Sequence, residues 1–279
     1  MGTTQRIVPG VTGEPNWRQL SRSISAVAAN VRQGLEIQDE LGDTEGDEVD
    51  VQSQEFVRLT QRQQAVNNRQ QNHIQAAMKN LIKTGGGRNS ITRGQSASLG
   101  RSGRRIARRL STFVQAVHER GLEAVLQEVG FDSLEGKSLQ EVLDFLLIYF
   151  TDTAYGMDEV AANVAACQTL EWICQGIGTV EELQTKLEEL IDQNGLTQVI
   201  ALFFGIYLFE HLSQRFEEKL IQLKGDTLSR ETFTLIREDI IGRIEVLASE
   251  QELRNIDWRG AEGNHLADSI FNSIINLFE

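Results

Sequence analysis

Proline is nearly absent from this 279-residue sequence: the two present, Pro9 and Pro15, precede the first apolar periodicity. Beyond them nothing stops a helix by ring clash or a missing N–H. Cysteine is as scarce. Cys167 and Cys174 lie two helical turns apart, roughly 10 Å along an axis, too far for a disulfide within one helix. With no His or Cys cluster beside them they read as small buried thiols rather than metal ligands, and they suit a reducing cytoplasm. No apolar run approaches the ~20 residues of a spanning helix. The longest, Leu196 to Phe209, reads as a buried core helix. An apolar signal core is missing from the N-terminus, and Arg6 stands where a myristoylation motif has Ser or Thr. The expectation is a soluble cytoplasmic chain with no membrane partner.

Acidic residues are missing altogether from Phe56 to His118, a stretch that holds twelve basic ones. Residues 1–55 hold four basic and ten acidic side chains, and 119–279 hold eleven basic and thirty acidic, so a net charge of −13 conceals a dipolar chain. A basic middle attracts phosphates, an acidic partner, or the chain's own acidic parts.

Strict apolar alternation, the mark of a half-buried strand, is not found, and helical spacing dominates. Leu20, Ile24, Val27 and Val31 recur at steps of four, three and four from Trp17 to about Gly34. The acidic run Glu36 to Asp50, with Gly42 and Gly46, reads as a solvated linker. A short helix over Phe56 to Ile82 follows, on a thin apolar stripe in a Gln-rich segment. After residue 105 the pattern strengthens: Ile106, Leu110, Phe113, Val114 and Val117 share a face, with Gly121 a break and Gly130 a stop. Capping boxes open helices at Ser138 and Thr179, where Glu141 and Glu182 can reach back. Further helices are predicted over Met157 to Gln175, Leu196 to Lys224, Ser229 to Glu250 and Asn264 to Phe278. The fold class is all-α: a C-terminal helical bundle with a long, largely irregular polar N-terminal region. The domains predicted are a mobile tail (1–16), a polar, partly helical region with an acidic linker and a Gly/Arg-rich stretch (17–104), and the bundle (105–279).

No enzymatic constellation is legible. His73, His118, His211 and His265 form no metal-binding spacing, and His118 and His211 read as boundary residues of amphipathic helices. Gly85 to Gly87 lack the lysine and the strand of a phosphate loop. Carboxylates such as Glu181, Glu182, Glu188 and Glu189 read as solvent-facing. No catalytic, cofactor-binding or metal-ligating residue is assigned. The conspicuous set is Arg88, Arg93, Arg101, Arg104, Arg105, Arg108 and Arg109. As a nucleic-acid contact these would neutralise phosphates with salt-sensitive affinity, although no aromatic residue interleaves for base stacking. Docking on the chain's own acidic bundle or on a partner is the equal alternative.

The Met1-Gly2-Thr3 start, the Gly-Gly-Gly-Arg segment at 85–88, and the stretches GLEAVLQEVGFDSLEGKSLQEVLDFLLIYF and GMDEVAANVAACQTLEWI resemble the B component of the four-gene Qat anti-phage defence system. The resemblance implies a component that is not an enzyme and needs no cofactor, working beside an ATPase, a TatD-like nuclease and a QueC-like enzyme. It implies further that the QueC-like partner joins a deazaguanine to the exposed α-amine of Gly2, with Thr3, Thr4, Gln5 and Arg6 threading the partner's channel. An unhindered amine of pKa ~7.7–8.0 can replace the ammonia that such enzymes use, and glycine has no Cβ to block a narrow passage. This chain lacks the long glycine-proline run associated with tails of that family. A nucleic-acid-binding adaptor working through the arginines is the competing reading.

Overall fold

A computed structural model describes residues 15–44, 54–151, 153–154, 156–193, 195–250, 258 and 263–279. These contain eleven α-helices and no strand: α1 (Pro15–Thr44), α2 (Gln54–Thr84), α3 (Arg88–Thr92), α4 (Arg101–Arg120), α5 (Leu122–Glu128), α6 (Leu139–Phe150), α7 (Met157–Ile173), α8 (Val180–Asp192), α9 (Gly195–Lys224), α10 (Asp226–Ser249) and α11 (Gly263–Leu277). The chain divides into two compact units. One gathers the residues up to Gly87 with Arg215–Asp239 and Phe278–Glu279; the other gathers Arg88–Gln214 and Ile240–Leu277. Neither is a single stretch of chain, because α9 and α10 each lend residues to both.

In the first unit α1 and α2 form an antiparallel hairpin. Asn80 donates to Ser23 Oγ at 3.4 Å, Arg69 to Gln33 Oε1 at 3.3 Å and Arg62 to Glu40 at 3.2 Å, partners that step in opposite directions along the two helices. The all-α expectation holds, but the irregular reading of the polar N-terminal region does not. Glu36 to Thr44 belong to α1 rather than to a linker, because the apolar stripe runs on through buried Gly34 to Ile37 and Leu41, which pack with Leu59 and Val66 of α2. The thin stripe of α2 suffices for the same reason. Leu59, Val66, Ile74, Met78 and Leu81 all face inward, and burial of one face, rather than propensity, stabilises a long helix. At the root of α1, Trp17 packs on Phe216 with ring centroids 5.1 Å apart, beneath the Arg215 guanidinium at 5.7 Å from the Trp17 ring. Lys219 donates to Ser21 Oγ at 3.0 Å.

The second unit is organised around α4, which packs against α5, α6, α7, α8 and α11. Its buried residues include Ile106, Ala107, Leu110, Phe113, Val114 and Val117, the face predicted from spacing. Ala161, Ala162, Ala165 and Ala166 are buried along α7, where small side chains permit close approach. Both capping boxes form, Ser138 with Glu141 and Thr179 with Glu182. Glu141, holding the Ser138 N–H and hydroxyl and the Lys137 ammonium, has its pKa drawn down to about 2. α9 is long and apolar enough to cross a membrane by length and composition, but 78% of its most apolar window is buried within the protein.

Candidate functional site

The glycine-arginine stretch is ordered, and its glycines explain how. At the end of α2 the Gly87 N–H bonds Ile82 O at 3.0 Å and the Gly86 N–H bonds Lys83 O at 3.1 Å, with Gly86 at φ 92°. This is a Schellman cap, which needs a left-handed residue. The turn repeats after α3, where Gln95 N–H bonds Ser90 O at 2.8 Å and Gly94 N–H bonds Ile91 O at 3.0 Å. The triple glycine is thus a helix stop.

α4 begins in a third device. Gly100, left-handed at φ 100°, has no side chain to cap the helix, so the cap comes from a distant carboxylate. Asp158, in the first turn of α7, accepts from the Ser102 N–H at 2.7 Å and the Gly100 N–H at 3.1 Å. Its Oδ1 also accepts from the Tyr207 hydroxyl and lies 3.2 Å from His211 Nε2. A carboxylate at a helix N-terminus is favoured by both the orphan N–H groups and the dipole. Burial works to raise the Asp158 pKa, but the His211 and Tyr207 contacts and the Ser102 N–H together hold it well below the usual carboxylate range. Space is tight here: a Cβ on Gly103 would meet Tyr207 Cε1 and Cζ at 2.9 Å. His211 is fully buried, which corrects its reading as a boundary residue. His118 does lie at a boundary, its Nε2 4.0 Å from Asp192.

The seven arginines separate into two classes. Arg104 is 8% exposed. It donates to Thr92 O at 2.8 Å and Asn272 Oδ1 at 3.0 Å and lies 5.0 Å over the Phe271 ring. Burial is the main cause of its lowered pKa. Arg108 forks onto Asp268, its Nε at 3.0 Å from Oδ1 and its Nη2 on Oδ2. Arg109 donates to Tyr149 O at 2.7 Å and lies 5.7 Å over that ring. These three fasten α4 to α3, α11 and α6. Arg108 remains exposed while so paired, and Arg88, Arg93, Arg101 and Arg105 are exposed as well. Gly2, Thr3, Thr4, Gln5 and Arg6 lie outside the described residues.

The second unit also holds an open groove of about 240 Å³, lined by Trp172, Gln198, Ala201, Gly205, Ile244 and Glu245 among others. It presents one carboxylate. Among the described residues no group of three or more His, Cys, Asp or Glu could hold a metal ion. Cys167 and Cys174 are free thiols, both pushed up by burial, Cys174 to about 11. Sequence reasoning missed the Asp158, Tyr207 and His211 cluster. One signal was available: Tyr207 and His211 are polar residues four apart, one turn, within or beside the most apolar run of the chain.

Residues 91–278 match the profile of a family described as Qat anti-phage system associated protein QatB. No curated protein and no solved structure matches the chain.

Proposed function

The chain belongs to the QatB family of Qat anti-phage system associated proteins, and we propose that it serves there as a non-enzymatic acceptor subunit, binding a QueC-like partner that conjugates a deazaguanine to the α-amine of Gly2. Family membership is the observation that carries this reading. In the proposed reaction the partner activates the deazaguanine carboxyl group with ATP. The neutral Gly2 amine attacks the activated carbonyl, an amide C–N bond forms, the phosphate-bearing leaving group departs and the nitrogen loses a proton. Thr3, Thr4, Gln5 and Arg6 occupy the partner's channel while the helical units stay outside. The ATPase and TatD-like nuclease of the same system are its further partners, in the cytoplasm.

Two structural features support the reading. The root of α1 is fixed by Trp17 on Phe216, which gives the residues ahead of Pro15 a firm point of attachment. The thirteen residue steps from Gly2 to Pro15 reach at most about 45 Å when extended, enough to enter a partner's site. The buried cluster of Asp158, Tyr207 and His211 is engaged in holding a helix terminus, which suits a structural rather than a catalytic use.

Intact mass spectrometry after co-expression with an active QueC-like partner tests the proposal. The expected species lacks Met1 and carries one deazaguanine on the N-terminal peptide. Gly2→Ala should slow the conjugation, and a residue inserted ahead of Gly2 should misplace the amine. An N-terminal peptide of unmodified mass in the presence of active partner and precursor would sink the idea.

A further inference from the structure

The exposed arginines present a surface of one chemistry. Arg88, Arg93, Arg101 and Arg105 all face solvent. Arg93 and Arg101 make no ion pair among the described residues. The segments that carry them are held together: Arg104 bonds Thr92 O, and a Cβ on Gly100 would sit 3.3 Å from Ile91. Arg93 follows Thr92 directly and Arg101 follows Gly100, so the end of α3 and the start of α4 carry these two residues on adjoining backbone segments. Arg101 and Arg105 are one turn apart, about 6 Å along the helix, close to the spacing of successive phosphates on a nucleic-acid strand.

What surrounds them selects the kind of partner. Protein interfaces are anchored by buried aromatic and aliphatic side chains. The large apolar side chains exposed among the described residues are Leu35, Val57, Ile148, Trp172, Ile221, Leu223 and Val246, none of them between Gly85 and Arg109. The other exposed residues here are small or polar: Gly86, Asn89, Gly94, Gln95, Ala97 and the Asp268-paired Arg108. Guanidinium forks with neutral amides, and without stacking rings, suit phosphate and sugar contacts that carry no base information. The α4 N-terminus, already occupied by Asp158, is not part of the surface.

We propose that the α3 and α4 face bearing Arg93 and Arg101, with Arg88 and Arg105 at its edge, binds the sugar-phosphate backbone of nucleic acid without sequence preference, while Arg104, Arg108 and Arg109 hold that face in shape. The binding is independent of Gly2 chemistry. Two phosphate contacts give a salt slope of about −1.8 on duplex DNA, so affinity should fall roughly 12-fold between 50 and 200 mM salt, and somewhat less on a single strand.

Fluorescence anisotropy of the full chain with a labelled duplex and a labelled single strand of unrelated sequences reads this out. Arg93→Ala and Arg101→Ala combined should weaken binding severalfold at 50 mM salt and flatten the slope, with helicity by circular dichroism unchanged because both side chains are exposed. The double lysine variant, equal in charge, should keep most of the slope. Should the alanine variant lose helicity, the lysine variant and single substitutions graded by charge still decide. Unchanged affinity in the alanine variant overturns the proposal. So do affinity indifferent to salt, a strong preference for one sequence, and binding to poly-glutamate but not to either oligonucleotide.

Discussion

Asp158→Ala removes the acceptor on which the start of α4 depends. The Ser102 N–H loses its cap, which costs about 0.5–2 kcal/mol in comparable helices. The Tyr207 hydroxyl and His211 Nε2 lose their shared oxygen in a buried site, and each stranded polar group costs about 1–3 kcal/mol. The Gly100 N–H is partly spared, because the Tyr207 hydroxyl oxygen also accepts from it at 2.5 Å. Since these losses share one network they do not simply add, and about 3–5 kcal/mol is the expectation for breaking a buried charge-assisted set. At 2–4 °C per kcal/mol for a domain of this size, the melting temperature should fall by roughly 6–20 °C. Asp158→Asn should fall between, because one amide oxygen can still cap Ser102 while its NH2 confronts donors. The pH dependence has a definite sign. A carboxylate whose folded pKa is depressed stabilises fully above its unfolded value, here near 3.8, and loses that contribution as pH falls through the folded value. The gap between wild type and Asp158→Ala should therefore be full at pH 7 and shrink below about pH 4. Thermal melts across that range measure it, and amide exchange at Ser102 reports the local fraying. A variant within 1 kcal/mol of wild type at pH 7 would refute the assignment of Asp158 as the cap.

Gly103→Ala should cost about 1–3 kcal/mol by overpacking, and Tyr207→Phe should not rescue it, since the clash is with ring carbons; rescue by the phenylalanine, seen in paired melts, would count against the contact. Ile37→Ala should destabilise by about 2–5 kcal/mol as a buried large-to-small change. A neutral result in a denaturant titration would restore the acidic run as a solvated linker.

Local signals were legible wherever the residues that decide a structure lie close together in sequence. Both capping boxes span four residues, and both formed as predicted. The inward face of α4 repeats within each turn, and the glycine at 121 breaks a helix with φ 82°. The acidic end of α1 was illegible because what makes it helical is Leu59 and Val66 on another helix. Glycine at 34 and a run of carboxylates lowered the local pattern below recognition, and tertiary burial overrode it.

The arginines show the same limit at greater range. By composition the seven are equivalent, and a reading from spacing alone treats them as one patch. What separates them is Thr92, Tyr149, Asp268, Phe271 and Asn272, most of them distant in sequence from α4. A cation turned inward over an aromatic ring and one turned out to solvent are written with the same letter. The distinction matters for function, because the inward class sets the shape of the face on which the outward class is displayed. Substituting Arg104 or Arg108 would disturb packing and surface together and could not separate them, whereas Arg93 and Arg101 touch only solvent chemistry. The cap on Gly100 follows the same logic. Asp158 reads as an ordinary first-turn acid of α7, and nothing near it in the chain announces that it also begins α4. The segment most exposed to misreading as a disordered basic linker is held by one carboxylate and three buried or paired guanidinium groups, and that rigidity lets the remaining exposed arginines form a surface instead of a tail.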